Sequence, residues 1–433
     1  MIPKLRVLRR ETPGVEATTP VKQAIPAVEA LLLEQLASGE RGIIRAVDVA
    51  LQQAAFHRAS DIHFEPQDDG FAVRYRIDGL LHPVARLPRT CQDQVLTRLK
   101  VLAKLIVYKR DIPQEGRIDA GAVPEAGAMR VSTFPTVGGE KAVVRLLDTQ
   151  REHLRLNELG FPEDVAAALR EFIGRPHGTL LLTGPSSSGK TTTIYALLRE
   201  IAAERADSAH ICTVEDPVEY RLGNVAQTQV NPAAGLTFHA AVRSLMRQDP
   251  DVIMVGEVRD AETAHAVIQA GLTGHLVIST VHSGTAAGVF ARLLEMGIEP
   301  FLIASSVTNV LAQRLVRRVC PECAVDDAPD VNTLRAFGLA PGDGAFRRGA
   351  GCEACQGVGY RGRMPITELL RVDESIAECI LERPRTAALA EAARKNGMRS
   401  LAADGAARVR QGMTTLDELS RVLPTESEGR DHA

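Results

Sequence analysis

Along residues 71–78 apolar and charged side chains alternate, Phe-Ala-Val-Arg-Tyr-Arg-Ile-Asp, the period-two pattern of a half-buried strand. A different spacing governs Ile43 to Phe56, where apolar residues recur with helical period. The same holds for Ala27 to Leu36, with Val28, Leu31, Leu32 and Leu36 on one face. Arg130–Leu147 adds strands interrupted at Gly138-Gly139. A helix followed by antiparallel strands predicts a smaller α+β domain over residues 41–150, behind a tail and short helix in residues 1–40.

The polar stretch Asp148–Asn157 predicts a linker, and Pro162–Ile173 a helix, so that residues 151–175 join this domain to the next. Strands and helices then alternate. Strands are expected at Thr179–Thr183, His210–Val214, Val252–Val255 and Leu276–Thr280, with helices at Thr192–Ala203, Phe238–Met246 and Ala261–Ala270. That alternation predicts an α/β fold, a parallel sheet covered on both faces, for a domain spanning residues 176–423. Beyond Pro300 the pattern reads as helical, interrupted by a cysteine- and glycine-rich insertion at 318–358, with helices resuming to Leu423. Residues 424–433 read as a disordered tail.

The 433 residues are 45% hydrophobic and 24% charged, an ordinary globular composition with room for two or three domains. No apolar run approaches the roughly 18 residues that suggest a bilayer span. Lys and Arg (51) nearly balance Asp and Glu (54), so no global positive field draws the chain onto nucleic acid. Aromatic residues are 4% and Trp is absent, with no basic-aromatic interleaving, which supports base stacking poorly, and no direct nucleic-acid contact is expected. Glu11, Pro13 and Glu16 follow the basic N-terminus where a secretory signal needs its apolar core, so a cytoplasmic location is expected.

Gly184-Pro185-Ser186-Ser187-Ser188-Gly189-Lys190-Thr191 fits the phosphate-binding pattern G-x-x-x-x-G-K-[ST], and it lies between an apolar strand and a helix, the context the pattern requires. Glycines let backbone N–H groups turn toward phosphate oxygens. Lys190 supplies a mobile charge to the β- and γ-phosphates of ATP, and the Thr191 hydroxyl, next to Thr192, suits Mg²⁺. Carboxylates at neighbouring strand ends are the natural source of a magnesium-associated acid and of a base for the attacking water. Glu215, Asp216 and Glu219 follow one strand, and Glu257 ends another; acidic strand ends also serve simply as solvated loops.

These residues resemble the secretion ATPases that drive type II secretion and type IV pilus assembly. The likeness rests on four boxes in order: GPSSSGKTTT (184–193), TVEDPVEY (213–220), RQDPDVIMVGEVRDAETA (247–264) and GLTGHLVISTVHS (271–283). Upstream, ASDIHFEP (59–66), RYRIDG (74–79), PQEGR (113–117) and RVSTFPTVGGEKAVVRLL (130–147) resemble the domain that precedes the motor in that family. The resemblance runs from about residue 42 to about 423, and no counterpart of the larger N-terminal domain of many relatives is expected in the first 40 residues.

The resemblance implies a RecA-like motor domain preceded by a PAS-like domain. It also implies a homo-hexamer working with inner-membrane platform proteins, peripheral at the cytoplasmic face of that membrane. Carried over by position, Glu219 is the base that polarises the lytic water, and Glu257 the acid associated with Mg²⁺. Arg130 and Arg145 match arginines that the first domain inserts toward the γ-phosphate, and Arg243 and Arg247 match motor-domain arginines of the same kind. A guanidinium there stabilises charge spreading over the transferred phosphoryl group, although each also suits a structural ion pair. His275 and His282 match the fourth box, with hydrogen bonding to the γ-phosphate or to a neighbouring subunit expected of them. The chain departs from the family at Ser187, where glycine is usual, and at Ser283-Gly284-Thr285 after His282.

Cys320-Pro-Glu-Cys323 and Cys352-Glu-Ala-Cys355 form two CxxC knuckles, the spacing of a closed S₄ zinc site that is structural because no coordination position stays open. Cys91, Cys212 and Cys379 read as buried small residues. The tetracysteine element resembles that of secretion and assembly ATPases and favours assembly over pilus retraction. Arg314, Arg317, Arg318, Arg347, Arg348, Arg361 and Arg363 make its surroundings basic, which suits anionic lipid or an acidic partner loop as well as plain solvation. The expected function is therefore an ATP-hydrolysing hexameric motor for type II secretion or pilus assembly. The alternatives are a DNA-uptake or conjugative traffic ATPase and a nucleotide-binding scaffold without turnover. Retention of Lys190, Thr191, Glu219 and Glu257 argues against the scaffold.

Overall fold

The computed structural model describes residues 24–147, 154–205 and 208–423. The expected tails at 1–23 and 424–433, and the linker residues 148–153, lie outside the described residues. The chain divides into two units at Leu146/Leu147.

The first unit runs α1 (Ile25–Leu36), α2 (Glu40–Phe56), β1 (Asp61–Gln67), β2 (Gly70–Ile77), β3 (Leu80–Leu87), α3 (Gln92–Leu102), β4 (Gln114–Ile118), β5 (Met129–Thr136) and β6 (Gly139–Leu146). Among the described residues its sheet has six antiparallel strands in the order β3-β2-β1-β6-β5-β4. The alternation of β2 works as read: Phe71, Val73 and Tyr75 are buried while Arg74 and Arg76 stay partly exposed. Burying each such side chain contributes about 1.5–3 kcal/mol. Tyr75 keeps its hydroxyl satisfied by donating to Ala50 O of α2 at 2.7 Å. Helix α1, which the periodicity placed with the tail, belongs to this unit, because Val28 and Leu32 are buried in its core.

The second unit continues α4 (Glu163–Ile173), β7 (Gly178–Thr183), α5 (Lys190–Arg205), β8 (Ile211–Glu215), β9 (Ala226–Gln229), α6 (Phe238–Leu245), β10 (Val252–Val258), α7 (Ala261–Leu272), β11 (Leu276–Val281) and α8 (Ala286–Glu295). It ends with α9 (Pro300–Ser306), β12 (Val307–Val319), β13 (Ala324–Asp326), α10 (Val331–Ala336), β14 (Arg347–Gly349), β15 (Tyr360–Arg371), α11 (Glu374–Leu381), α12 (Thr386–Lys395), α13 (Leu401–Arg410) and α14 (Leu416–Val422). The sheet order is β15-β12-β7-β11-β10-β8-β9, parallel except for β15 at the edge. Every residue of β7, β8 and β11 is buried, as expected for strands covered on both faces. Leu180, Leu182, Met254 and Ile278 pack with α4 and α5 on one side, and Leu181, Ile253 and Val277 with α7 and α8 on the other.

The helical expectation beyond Pro300 is corrected. Helix α9 stops after seven residues, and β12 and β15 are strands of 13 and 12 residues. Strand β12 lies between β7 and β15 and sends Val310 into one core cluster and Leu311 into the other, so it buries apolar residues on both faces and shows no alternation to separate it from a buried helix.

Candidate functional site

Parallel strands β7, β10, β8 and β11 all end at one edge of the sheet, and the loops leaving that edge carry the predicted chemistry. Between β7 and α5 the chain turns through Gly184 at φ +145°, Ser187 at φ +61° and Gly189 at φ +89°. Ser187 therefore occupies a left-handed backbone position, at a cost of about 1 kcal/mol. The loop leads into the N-terminus of the 16-residue α5, whose free N–H groups and dipole favour an anion.

Lys190 Nζ donates to Gly184 O at 2.7 Å and Pro185 O at 2.9 Å, arching over the loop. Burial lowers the pKa of its ammonium, and the charge of Glu257 pulls it back up. The buried Ser188 hydroxyl has no hydrogen-bond partner among the described residues, while Pro185, Ser186 and Thr191 are exposed. An orphaned hydroxyl, a helix N-terminus and an ammonium at one turn suit a polyphosphate, so the residues present fit the nucleotide.

The three acidic candidates after β8 prove to be in different environments. Glu215 is buried and fully engaged: it accepts from Tyr195, from Thr213 Oγ1 at 2.5 Å and from Gln227 Nε2 at 3.1 Å. Asp216 is exposed and 3.9 Å from Arg259. Glu219 is half-buried, and among the described residues its carboxylate has no hydrogen bond or ion pair, which leaves it free to accept a proton. Its backbone N–H donates to Tyr195 Oη at 3.4 Å.

Glu257, near the end of β10, bonds Arg259 through one oxygen, and its other oxygen lies 3.4 Å from His282 Nε2. The hydrogen bond to Glu257 raises the Arg259 pKa further. His282 follows β11 directly, and the next residue is tied to the strand feeding the phosphate loop: Ser283 N donates to Thr183 Oγ1 and Thr183 Oγ1 to Ser283 O, each at 2.9 Å. Lys190, Glu257 and His282 are thus brought together at one edge.

His275 is not. It precedes β11, six residues and roughly 20 Å from the other end, and its Nδ1 lies 3.0 Å from Ala270 O and 3.1 Å from Thr273 Oγ1. Arg243 and Arg247 lie on the path from α6, which starts with Phe238 against Gly256, back toward the opposite edge at Val252. Both are exposed, without an ion pair among the described residues. In the first unit Arg130 faces Arg145 across β5 and β6 and Arg117 across β4 and β5. Arg145 is held by Asp61 at 2.9 Å, whereas Arg130 has no such partner among the described residues.

The four cysteines converge, with all sulfurs within 4.8 Å of one another. Cys320 and Cys352 sulfurs are 3.9 Å apart, and those of Cys323 and Cys355, and of Cys352 and Cys355, 3.7 Å. Zn–S bonds of about 2.3 Å in a tetrahedron put sulfurs roughly 3.8 Å apart, so the donor set fits zinc. Gly351 N donates to Cys323 Sγ, and Cys352 N and Gly359 N to Cys355 Sγ, at 3.2–3.3 Å, the outer bonds that orient thiolates.

The basic surroundings need correction at Arg317. Its guanidinium lies 4.0 Å from the Tyr360 ring centroid and is bound by the fully buried Glu418 at 2.8 and 2.9 Å, so it holds α14 to β12 rather than facing a partner. Three further residues belong to the site: Arg259 on Glu257, Tyr195 on Glu215, and Gln313, whose amide bonds Ser188 O and Thr193 Oγ1. Arg259 lies inside the third box and Tyr195 two residues past the first, but a glutamine in an apolar strand carries no periodic signal.

The type II/IV secretion system protein family matches residues 37–421. The chain is 45% identical over 380 residues to the type II secretion system protein HxcR of Pseudomonas aeruginosa, covering 88% of this chain and 77% of that protein. It is likewise 45% identical over 378 residues to the type IV pilus assembly ATPase PilB of Thermus thermophilus, covering 86% of this chain but 42% of that longer protein. Among solved structures, the pilus retraction motor PilT with bound ADP matches with a TM-score of 0.59 at 25% identity, covering 87% of this chain and 96% of that one. With its phosphate loop, its carboxylates and its cysteine cluster arranged on this sheet, the chain belongs to the type II/IV secretion system protein family.

Proposed function

We propose that the chain is an ATP-hydrolysing motor of type II protein secretion or type IV pilus assembly, acting as a homo-hexamer peripheral to the cytoplasmic face of the inner membrane. The observation that carries the catalytic part is the single sheet edge at which Glu257 lies against His282 and its charge reaches Lys190, with the unengaged Glu219 in the loop leaving the same edge after β8. Relatives named for type II secretion and for pilus assembly support the cellular part equally. Among the described residues no helix is long and apolar enough to cross a membrane, so attachment there would run through platform proteins or anionic lipid.

In this reading the backbone of residues 184–192 cradles the phosphates, and Lys190 leaves the loop carbonyls to neutralise the β- and γ-oxygens. Thr191 and Glu257 would hold Mg²⁺, which supplies further charge neutralisation to the phosphates. Glu219 takes the proton of the attacking water, and His282 keeps Glu257 oriented. Arg130, Arg145, Arg243 and Arg247 stabilise charge on the transferred phosphoryl group, with Arg243, Arg247 and His275 serving a neighbouring subunit's site. Zn²⁺ held by the four cysteines stabilises the insertion and takes no part in hydrolysis. A host strain lacking the chain should lose export or piliation and regain it with the wild type but not with Lys190→Ala; restoration by Lys190→Ala would refute the motor reading.

A further inference from the structure

The phosphate loop is braced from outside itself by one side chain. Strand β12 runs parallel to β7 in a register that pairs Ala312 with Thr183, which sets Gln313 beside Gly184. Gln313 is 2% exposed, and its amide is engaged at both atoms by the loop and the helix that follows: Nε2 donates to Ser188 O at 2.8 Å, and Oε1 accepts from Thr193 Oγ1 at 2.9 Å. The contact also accounts for two glycines. A Cβ on Gly184 would come within 2.3 Å of Gln313 O, and one on Gly189 within 2.8 Å of its Nε2. The loop backbone is therefore held at Ser188, and the first turn of α5 at Thr193, by a residue more than a hundred positions away in sequence.

Such a brace matters because a phosphate loop binds with backbone N–H groups, whose directions are set only by the chain's own shape. A buried amide bonded on both sides removes the alternatives before the ligand arrives, and preorganisation of this kind shows in affinity. On the strand paired with β12, one residue along from Thr367, which faces Gln313, Glu368 accepts the N–H of Ala286 at 2.8 Å and so steadies the helix that follows His282. The β12–β15 ribbon thus grips the nucleotide edge at two points.

We propose that Gln313 is a positioning residue for nucleotide binding: through Ser188 and Thr193 it holds the phosphate loop in its binding shape without touching the nucleotide. The inference rests on the ATPase reading above. Gln313→Leu fills the same space but leaves Ser188 O and Thr193 Oγ1 unpaired in a buried place, so the KM for ATP should rise about tenfold with kcat changed much less. Thr193→Val, which breaks only one of the two bonds, should raise KM by about threefold and keeps the test available if Gln313→Leu does not fold.

The measurement is steady-state phosphate release by the full-length protein, with the Kd for a fluorescent ATP analogue and the thermal unfolding midpoint recorded alongside. Raised KM and Kd in folded variants support the role. KM and Kd within twofold of wild type in both variants, or a fall in kcat alone, overturn it. A wild-type protein that binds the analogue but releases no phosphate would refute the ATPase reading instead, while the Kd comparison would still decide the role of Gln313.

Discussion

Glu257 Oε2 lies 3.4 Å from His282 Nε2, so the carboxylate near the end of β10 is held by the histidine that follows β11, while Arg259 takes its other oxygen. The ends of two successive parallel strands meet through one side-chain pair. If His282 orients Glu257 through this 3.4 Å contact, His282→Ala should lower kcat roughly tenfold, with little change in nucleotide Kd. Steady-state kinetics with a parallel binding titration check this. An unchanged kcat would detach His282 from the reaction.

The cysteine cluster predicts one zinc per chain by elemental analysis of protein purified without chelator. Cys352→Ser removes a ligand from a closed site, and structural zinc contributes on the order of 10 kcal/mol in small isolated fingers. The loss should be local, because Leu334, Leu339 and Phe346 of the same insertion are buried in the main core. Hydrogen exchange should therefore quicken around residues 320–323 and 350–359 while α10 stays protected and ATP still binds. Metal content near zero with freely titratable thiols would contradict the site.

A third expectation concerns Glu418. Burial opposes its ionisation, but hydrogen bonds from Arg421 and Arg317 outweigh it and hold the carboxyl below the ordinary carboxylate range. A carboxyl depressed in the folded state contributes stability above its ordinary pKa and loses that contribution as pH falls through the lower value. Glu418→Gln leaves Arg317 against Tyr360 without its counter-charge, so the variant should be less stable at pH 7 by about 3–5 kcal/mol. Urea unfolding of both proteins from pH 7 to pH 3 should show that difference shrinking only below about pH 4.5. A difference independent of pH would contradict the ion pair's role.

Elements that signal by period or by punctuation were legible in the sequence. Strand β7 was expected at Thr179–Thr183 and spans Gly178–Thr183, and the two CxxC knuckles read as a metal site and do converge. Strands β12 and β15 were not legible, because burial on both faces erases alternation and makes an apolar run ambiguous. Arg317 shows the converse error. Its neighbours in sequence are basic, but its partners, Glu418 and Tyr360, arrive from elsewhere in the fold, and charge counted along the chain says nothing of pairing across it. Glu215, Asp216 and Glu219 looked alike as acids after a strand; only the tertiary network around Tyr195 separates the engaged one from the free one.

The central claim is that this edge hydrolyses ATP with Glu219 as base, and the most direct test is single-turnover phosphate release by Glu219→Gln beside its affinity for ATP. An amide cannot take the water's proton, so turnover should fall by 10²-fold or more, roughly the worth of a positioned base, while the Kd stays within about twofold of wild type. Lys190→Ala, measured in parallel, should lose turnover through its missing phosphate contact. Undiminished phosphate release by Glu219→Gln would contradict the assignment of the base, and equal loss of ATP binding would make Glu219 a structural residue instead.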